Sequence, residues 1–139
     1  YNNNKKNFIM KKYLFLLVAA IVSFTTSFTL TSCGSDEETY AMKSEIVLEN
    51  LNEEQTAVLQ DLINTTKDVT VGVHTYAIAK NTVDLGCEKL RSGFEGLKAM
   101  LKDGQKITYT INLYKGGSAT GSPIYSKSII TTKDSVTIK

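Results

Sequence analysis

Between Tyr13 and Ser32 the chain carries no charged side chain. A run of about 20 such residues is long enough to cross a bilayer core as a helix, so it decides how much chain is left for a globular domain. Its two halves differ. Leu14 to Phe24 (LFLLVAAIVSF) is apolar, whereas Ser23 to Ser32 holds Ser23, Thr25, Thr26, Ser27, Thr29, Thr31 and Ser32. So polar a second half suits an uncleaved span poorly. With Lys11 and Lys12 in front, the order basic pair, apolar run, small polar residues is that of a secretory signal. Met10 is placed as the initiator, and residues 1–9 (YNNNKKNFI), which begin on Tyr, are expected to be an upstream extension.

The leader closes on Leu30-Thr31-Ser32-Cys33. This order resembles a bacterial lipoprotein signal peptide over residues 10–32, with Leu30, Thr31 and Ser32 matching the lipobox ahead of the lipidated cysteine. The resemblance implies that the chain is cut before Cys33 and that Cys33 is acylated on its sulfur and on the new amino terminus. Each buried methylene of an acyl chain contributes about 0.8 kcal/mol, so several chains make a lasting anchor. Gly34 is followed by Ser35, Asp36, Glu37 and Glu38. This acidic run is similar to the surface-export signal of Bacteroidota lipoproteins, and it also suits a solvated tether. The resemblance implies a cell-envelope location on the outer membrane, facing the surface or the periplasm.

Removal of residues 1–32 leaves 33–139, 107 residues, enough for one domain. It also removes Lys5, Lys6, Lys11 and Lys12, leaving 12 basic against 14 acidic residues and turning the formal charge from +2 to −2. No basic patch then argues for nucleic acid. With Cys33 carrying lipid, Cys87 has no partner within the chain, so a disulfide framework is not expected. Residues 33–43 are read as an acidic tether and 44–139 as the domain.

Within that domain Thr39 to Asn50 is ambiguous between strand and helix. Asn52 reads as an N-cap with Gln55 as its capping-box partner, and Val58, Leu59, Leu62 and Ile63 predict a helix over 53–65. Val69 to Ala79, rich in β-branched and aromatic residues, predicts a strand with His74, Tyr76 and Ile78 on one face. Leu90, Phe94, Leu97 and Leu101 predict a second helix, with Asp84 as its N-cap and Gly104 as its stop. Gly86, Gly93 and Gly96 are costly inside a helix, about 1 kcal/mol each against Ala. They are expected to admit a close neighbour such as the sheet. From Gln105 the period becomes two: Ile107, Tyr109, Ile111 and Leu113 predict a buried face. Lys115 to Pro123 is a Gly/Ser loop, 124–132 a strand and 135–139 a short last strand. The reading is a two-layer α+β domain: a mostly antiparallel sheet of about four strands with two helices on one face.

Catalytic patterns are scarce. A single histidine and the absence of a spaced cysteine pair argue against a zinc site, and no GxSxG or phosphate-binding loop occurs. No cofactor is expected. Tyr114 and Tyr125 flank the Gly/Ser loop, and tyrosine rings there can stack on sugars or peptides; His74 and Tyr76 form a second candidate contact. The expected role is a non-catalytic binding or accessory module for a glycan, a peptide or an envelope protein. The alternatives are an envelope enzyme or enzyme inhibitor using His74 or Cys87, or a structural subunit pairing through sheet edges.

Overall fold

The computed structural model describes residues 2–29 and 36–139, with side chains from Lys11 onward. Leu30, Thr31, Ser32 and Cys33, read above as resembling a lipobox, and Ser35 of the acidic run lie outside the described residues. Helix α1 (Asn2–Thr29) precedes strand β1 (Glu38–Glu49), helices α2 (Glu53–Val58) and α3 (Gln60–Thr65), strand β2 (Val69–His74) and helix α4 (Tyr76–Leu97). After a short 3₁₀ turn at Lys98–Met100 come β3 (Lys106–Lys115), β4 (Tyr125–Thr132) and β5 (Val136–Ile138). The fold is α+β: an open, all-antiparallel five-stranded sheet in the order β2-β1-β3-β4-β5.

The alternation along β3 divides the sheet into two faces. Ile107, Tyr109, Ile111 and Leu113 are fully buried, and their register partners Leu48, Ile46, Ser44 and Met42 on β1 point the same way. Ile129 and Thr131 on β4 and Val136 on β5 continue that face. Tyr109 packs its ring 5.5 Å from that of Phe94 on α4 and donates its hydroxyl to Ser44 Oγ at 2.7 Å, so its one polar atom is satisfied inside the core. Helix α4 packs on this face. The other face shows Lys43, Glu45, Val47, Thr108, Thr110 and Tyr114 to solvent or to partial cover.

The ambiguous stretch 39–50 is a strand, and β1 takes the place between β2 and β3. That makes five strands where four were expected, and it pulls residues 38–43, read as tether, into the sheet. The capping box is present: Asn52 Oδ1 accepts from the Gln55 N–H at 2.8 Å, and Gln55 Oε1 accepts from the Asn52 N–H at 3.0 Å. The expected helix over 53–65 is instead two six-residue helices that break at Leu59. There the Leu59 N–H bonds to both Gln55 and Thr56 carbonyls, and Leu59 and Leu62, three residues apart on one side, are both fully buried.

The stretch 69–79 is not one strand. It turns at Thr75, whose hydroxyl accepts from the Ile78 N–H at 3.3 Å and caps α4. Asp84, expected as that cap, lies two turns inside the helix, and Tyr76 is a helix residue and not a strand neighbour of His74. The apolar stripe of α4 begins earlier than expected, running Ala79, Val83, Cys87, Leu90, Phe94 and Leu97, each fully buried. Burying each of the Val, Leu and Phe side chains among them stabilises by about 1.5–3 kcal/mol.

Helix α1 packs against α4, β2 and α3. Its buried residues are Leu14, Leu17, Ile21, Phe24 and Phe28, alternating steps of three and four, while Phe15, Leu16 and Val22 are exposed. The close neighbour of the α4 glycines is therefore mainly this helix. A Cβ on Gly93 would overlap Leu17 and one on Gly96 would overlap the Tyr13 ring; Gly86 touches Phe24 and, across the layer, Ile111. Residues Lys11–Thr29 are also long and apolar enough to cross a membrane, a property shared by core helices and signal sequences.

Candidate functional site

The start of α4 carries Tyr76, Lys80 and Asp84 at four-residue intervals, which places them on one side of the helix. Strand β4 presents Tyr125 and Lys127 to the same side. Tyr125 donates its hydroxyl to Asp84 Oδ1, Lys127 Nζ lies 3.3 Å from Asp84 Oδ1, and Lys80 Nζ lies 3.8 Å from Asp84 Oδ2. The Lys80 ammonium also stands 4.9 Å from the centre of the Tyr125 ring. Tyr76, 44% exposed, sets its ring 6.4 Å from that of Tyr40 on β1. Beside them Glu38 pairs with Lys115 at 3.2 Å, and the Gly116 N–H donates to the Thr39 carbonyl at 2.8 Å where the Gly/Ser loop begins. Gly116 has φ 100°, a left-handed conformation that favours glycine. The result is a seam of three tyrosines around one carboxylate and two ammonium groups, at the end of the sheet where β1 starts.

Its electrostatics suit contact better than proton transfer. Partial burial alone would raise the Asp84 pKa, but the Tyr125 and Lys127 hydrogen bonds and both lysine charges outweigh it and hold the carboxyl below its usual range. The hydrogen bond to Asp84, then burial, pushes Tyr125 up to about 12. At neutral pH the carboxylate is ionised with two donors on Oδ1 and the Lys80 ammonium nearby, and the phenol stays protonated. What remains for a ligand is ring surface on Tyr76 and Tyr125 and the partly exposed Lys80 ammonium.

A raised tyrosine pKa contributes stability below the ordinary value near 10 and loses it as pH rises through about 12. A lowered carboxylate pKa contributes above the ordinary value near 4 and loses it as pH falls through the lowered value. Tyr125→Phe is therefore expected to destabilise near neutrality by a small amount, with the difference from wild type shrinking at both extremes. Urea midpoints at acid, neutral and alkaline pH measure it, and a pH-independent difference would refute the coupling.

Of the expected contacts, the structure brings Tyr76 and Tyr125 to this seam and separates the other two. Leu113 pairs with Tyr125, so Tyr114 falls on the opposite face. There it lines a cavity of about 400 Å³ with Asn112, Lys43, Lys67 and Ala119. His74 is 4% exposed, not solvated at its tip. Its Nε2 meets the Phe28 carbonyl of α1, and its ring lies 4.7 Å from the Phe28 ring. Cys87 is fully buried, and burial pushes its thiol up to about 12, which removes the thiolate that a nucleophile needs. Among the described residues no cluster of three or more His, Cys, Asp or Glu side chains is placed to hold a metal. Of the export run, Asp36 lies in a turn and Glu38 opens β1. Lys80, Asp84, Lys127 and Tyr40 were not foreseen as site residues. Their signal is the Tyr76-Lys80-Asp84 spacing, readable only once the helix is started at Thr75. No family model, curated protein or solved structure matches the chain.

Proposed function

We propose that this chain is a small lipoprotein of the cell envelope, held at the outer membrane by acyl chains on Cys33, and that its folded part is a non-catalytic binding module. The observation that carries it is the order of the leader: Lys11-Lys12, the apolar run 14–24, Leu30-Thr31-Ser32-Cys33, then Ser35, Asp36, Glu37 and Glu38. The binding role is supported by the seam, where the carboxylate is held by Tyr125 and two lysines while the Tyr76 ring lies open. Such a surface fits a glycan, a peptide or an envelope protein through stacking and hydrogen bonds to Lys80.

Mass spectrometry of membrane-fraction protein tests the anchor. The expected result is a terminal peptide beginning at acylated Cys33, and an uncleaved, unacylated chain in Cys33→Ala. An intact Met10 with unmodified Cys33 in the native protein overturns it. Glycan and peptide arrays test the module: Tyr76→Ala should lower any binding several-fold with Tyr114→Ala unchanged if the seam is used, and the reverse if the opposite face is. A second reading has an observation of its own. The buried stripe of α1 has the packing of a permanent core helix, and on that reading residues 11–29 stay with the domain. The same spectrum decides between them.

A further inference from the structure

Helix α1 lies in a trough floored by glycines. Leu17 sits over Gly93, Tyr13 over Gly96 and Phe24 against Gly86, while the Phe28 carbonyl closes on Gly72 at the far end. Each seat is filled by a large side chain or by backbone where any Cβ would intrude or press. The polar atom at that end is His74 Nε2, more than nine-tenths buried and answered by the Phe28 carbonyl. A helix C-terminus leaves such carbonyls unpaired, so His74 reads as a fitted receiver for one. At the opposite end α1 does not fill the trough. A cavity of about 810 Å³ remains between Lys11 and Val18 of α1 and Glu54, Ala57, Val58 and Asp61 of the α2–α3 pair. This end is rimmed by two carboxylates, and Lys11 of the leader lines the same cavity.

Cleavage before Cys33 takes α1 away and leaves this trough open, with apolar walls and the uncovered His74 imidazole facing it. We propose that in the mature protein the trough receives an amphipathic helix of another envelope protein. That helix carries large apolar side chains at heptad spacing and a basic first turn, and it docks with its N-terminus by Glu54 and Asp61 and its C-terminal carbonyls at His74. The inference rests on the lipoprotein reading, and it goes further by naming a site apart from the tyrosine seam and the class of partner that fits it. Helix-in-groove recognition of this kind is read as apolar anchors at i, i+3/i+4 and i+7. The spacing 14, 17, 21, 24 and 28 provides those anchors in cis.

The test uses the mature lipoprotein purified into lipid nanodiscs, with its intact mass recorded first. The probe is a labelled synthetic peptide of residues 11–29 in which the outward Phe15, Leu16 and Val22 are replaced by lysine; empty nanodiscs are the blank. Saturable binding is expected, weakened at least tenfold by Gly93→Leu, which fills a seat while improving helix propensity. Asp61→Lys, an exposed change that leaves the core intact, should weaken it several-fold. Equal binding by a scrambled peptide, or no effect of either substitution, would overturn the trough as a receptor. So would two copies per disc joined in a Gly93-sensitive manner, since the trough would then serve self-association. An intact mass still containing residues 11–32 instead refutes the cleavage reading and shows the trough filled in cis.

Discussion

Gly93→Ala and Gly96→Ala are expected to change stability in opposite directions in the full chain and in the chain that begins at Cys33. With α1 seated, each new methyl enters space held by the body of Leu17 or by the rigid Tyr13 ring, neither of them a flexible tip that can swing aside. Overpacking of this kind costs about 1–3 kcal/mol. Without α1 the same positions face an empty trough, and Ala in place of Gly inside a helix gains up to about 1 kcal/mol each from backbone entropy. Thermal unfolding of both variants in both chain lengths, with Cys33→Ala used to prevent processing of the longer one, measures the difference. The expected result is a lowered midpoint in the long chain and a raised one in the short. The same sign in both lengths means that α1 is not seated on these glycines.

Phe94→Ala is expected to cost about 3–5 kcal/mol. Phe94 is fully buried on α4, one turn from both Leu90 and Leu97, and its ring meets Tyr109 on the central strand β3. Removing it opens a cavity where the helix layer and the sheet join, and the neighbours that could close it are themselves tied: Tyr109 by its bond to Ser44 and Leu90 by its place in the same helix. For a domain of this size the total stability is on the order of 5–15 kcal/mol, so the variant should unfold at far lower urea with an unchanged slope. Phe94→Leu, which keeps most of the volume, should cost only a minority of that. A loss below about 1 kcal/mol for Phe94→Ala would mean that α4 is not packed on the sheet as described.

These positions show which parts of the fold could be read in advance. The β3 face of Ile107, Tyr109, Ile111 and Leu113 was legible because a period of two has one physical meaning, and the same holds for the capping box at Asn52 and Gln55. The boundary at Thr75 was not. Val69 to Ala79 favours a strand residue by residue, and only the threonine cap and the tertiary pull of Ala79 and Val83 onto the sheet turn its second half into helix. That one misplaced start hid the site, since Tyr76, Lys80 and Asp84 share a side only on a helix. Tyr114 and Tyr125 looked like one platform because they flank one loop. Strand register separates them, and a long Gly/Ser connection does not specify register. The packing of α1 was written in the spacing of Leu14, Leu17, Ile21, Phe24 and Phe28, but a leader's apolar run carries that spacing without needing a partner.

The early start of β1 has a geometric consequence for an anchored protein. From Cys33 to Glu38 the backbone reaches at most about 17 Å even when fully extended. Were Cys33 lipidated as proposed, the end of the sheet bearing Tyr40, Tyr76 and the Gly116 turn would be leashed within about that distance of the bilayer surface. Neighbours held in the same leaflet would then meet the seam by lateral diffusion, at the raised effective concentration that tethering gives. Weak contacts, too slight to hold two proteins together in free solution, become sufficient on such a surface.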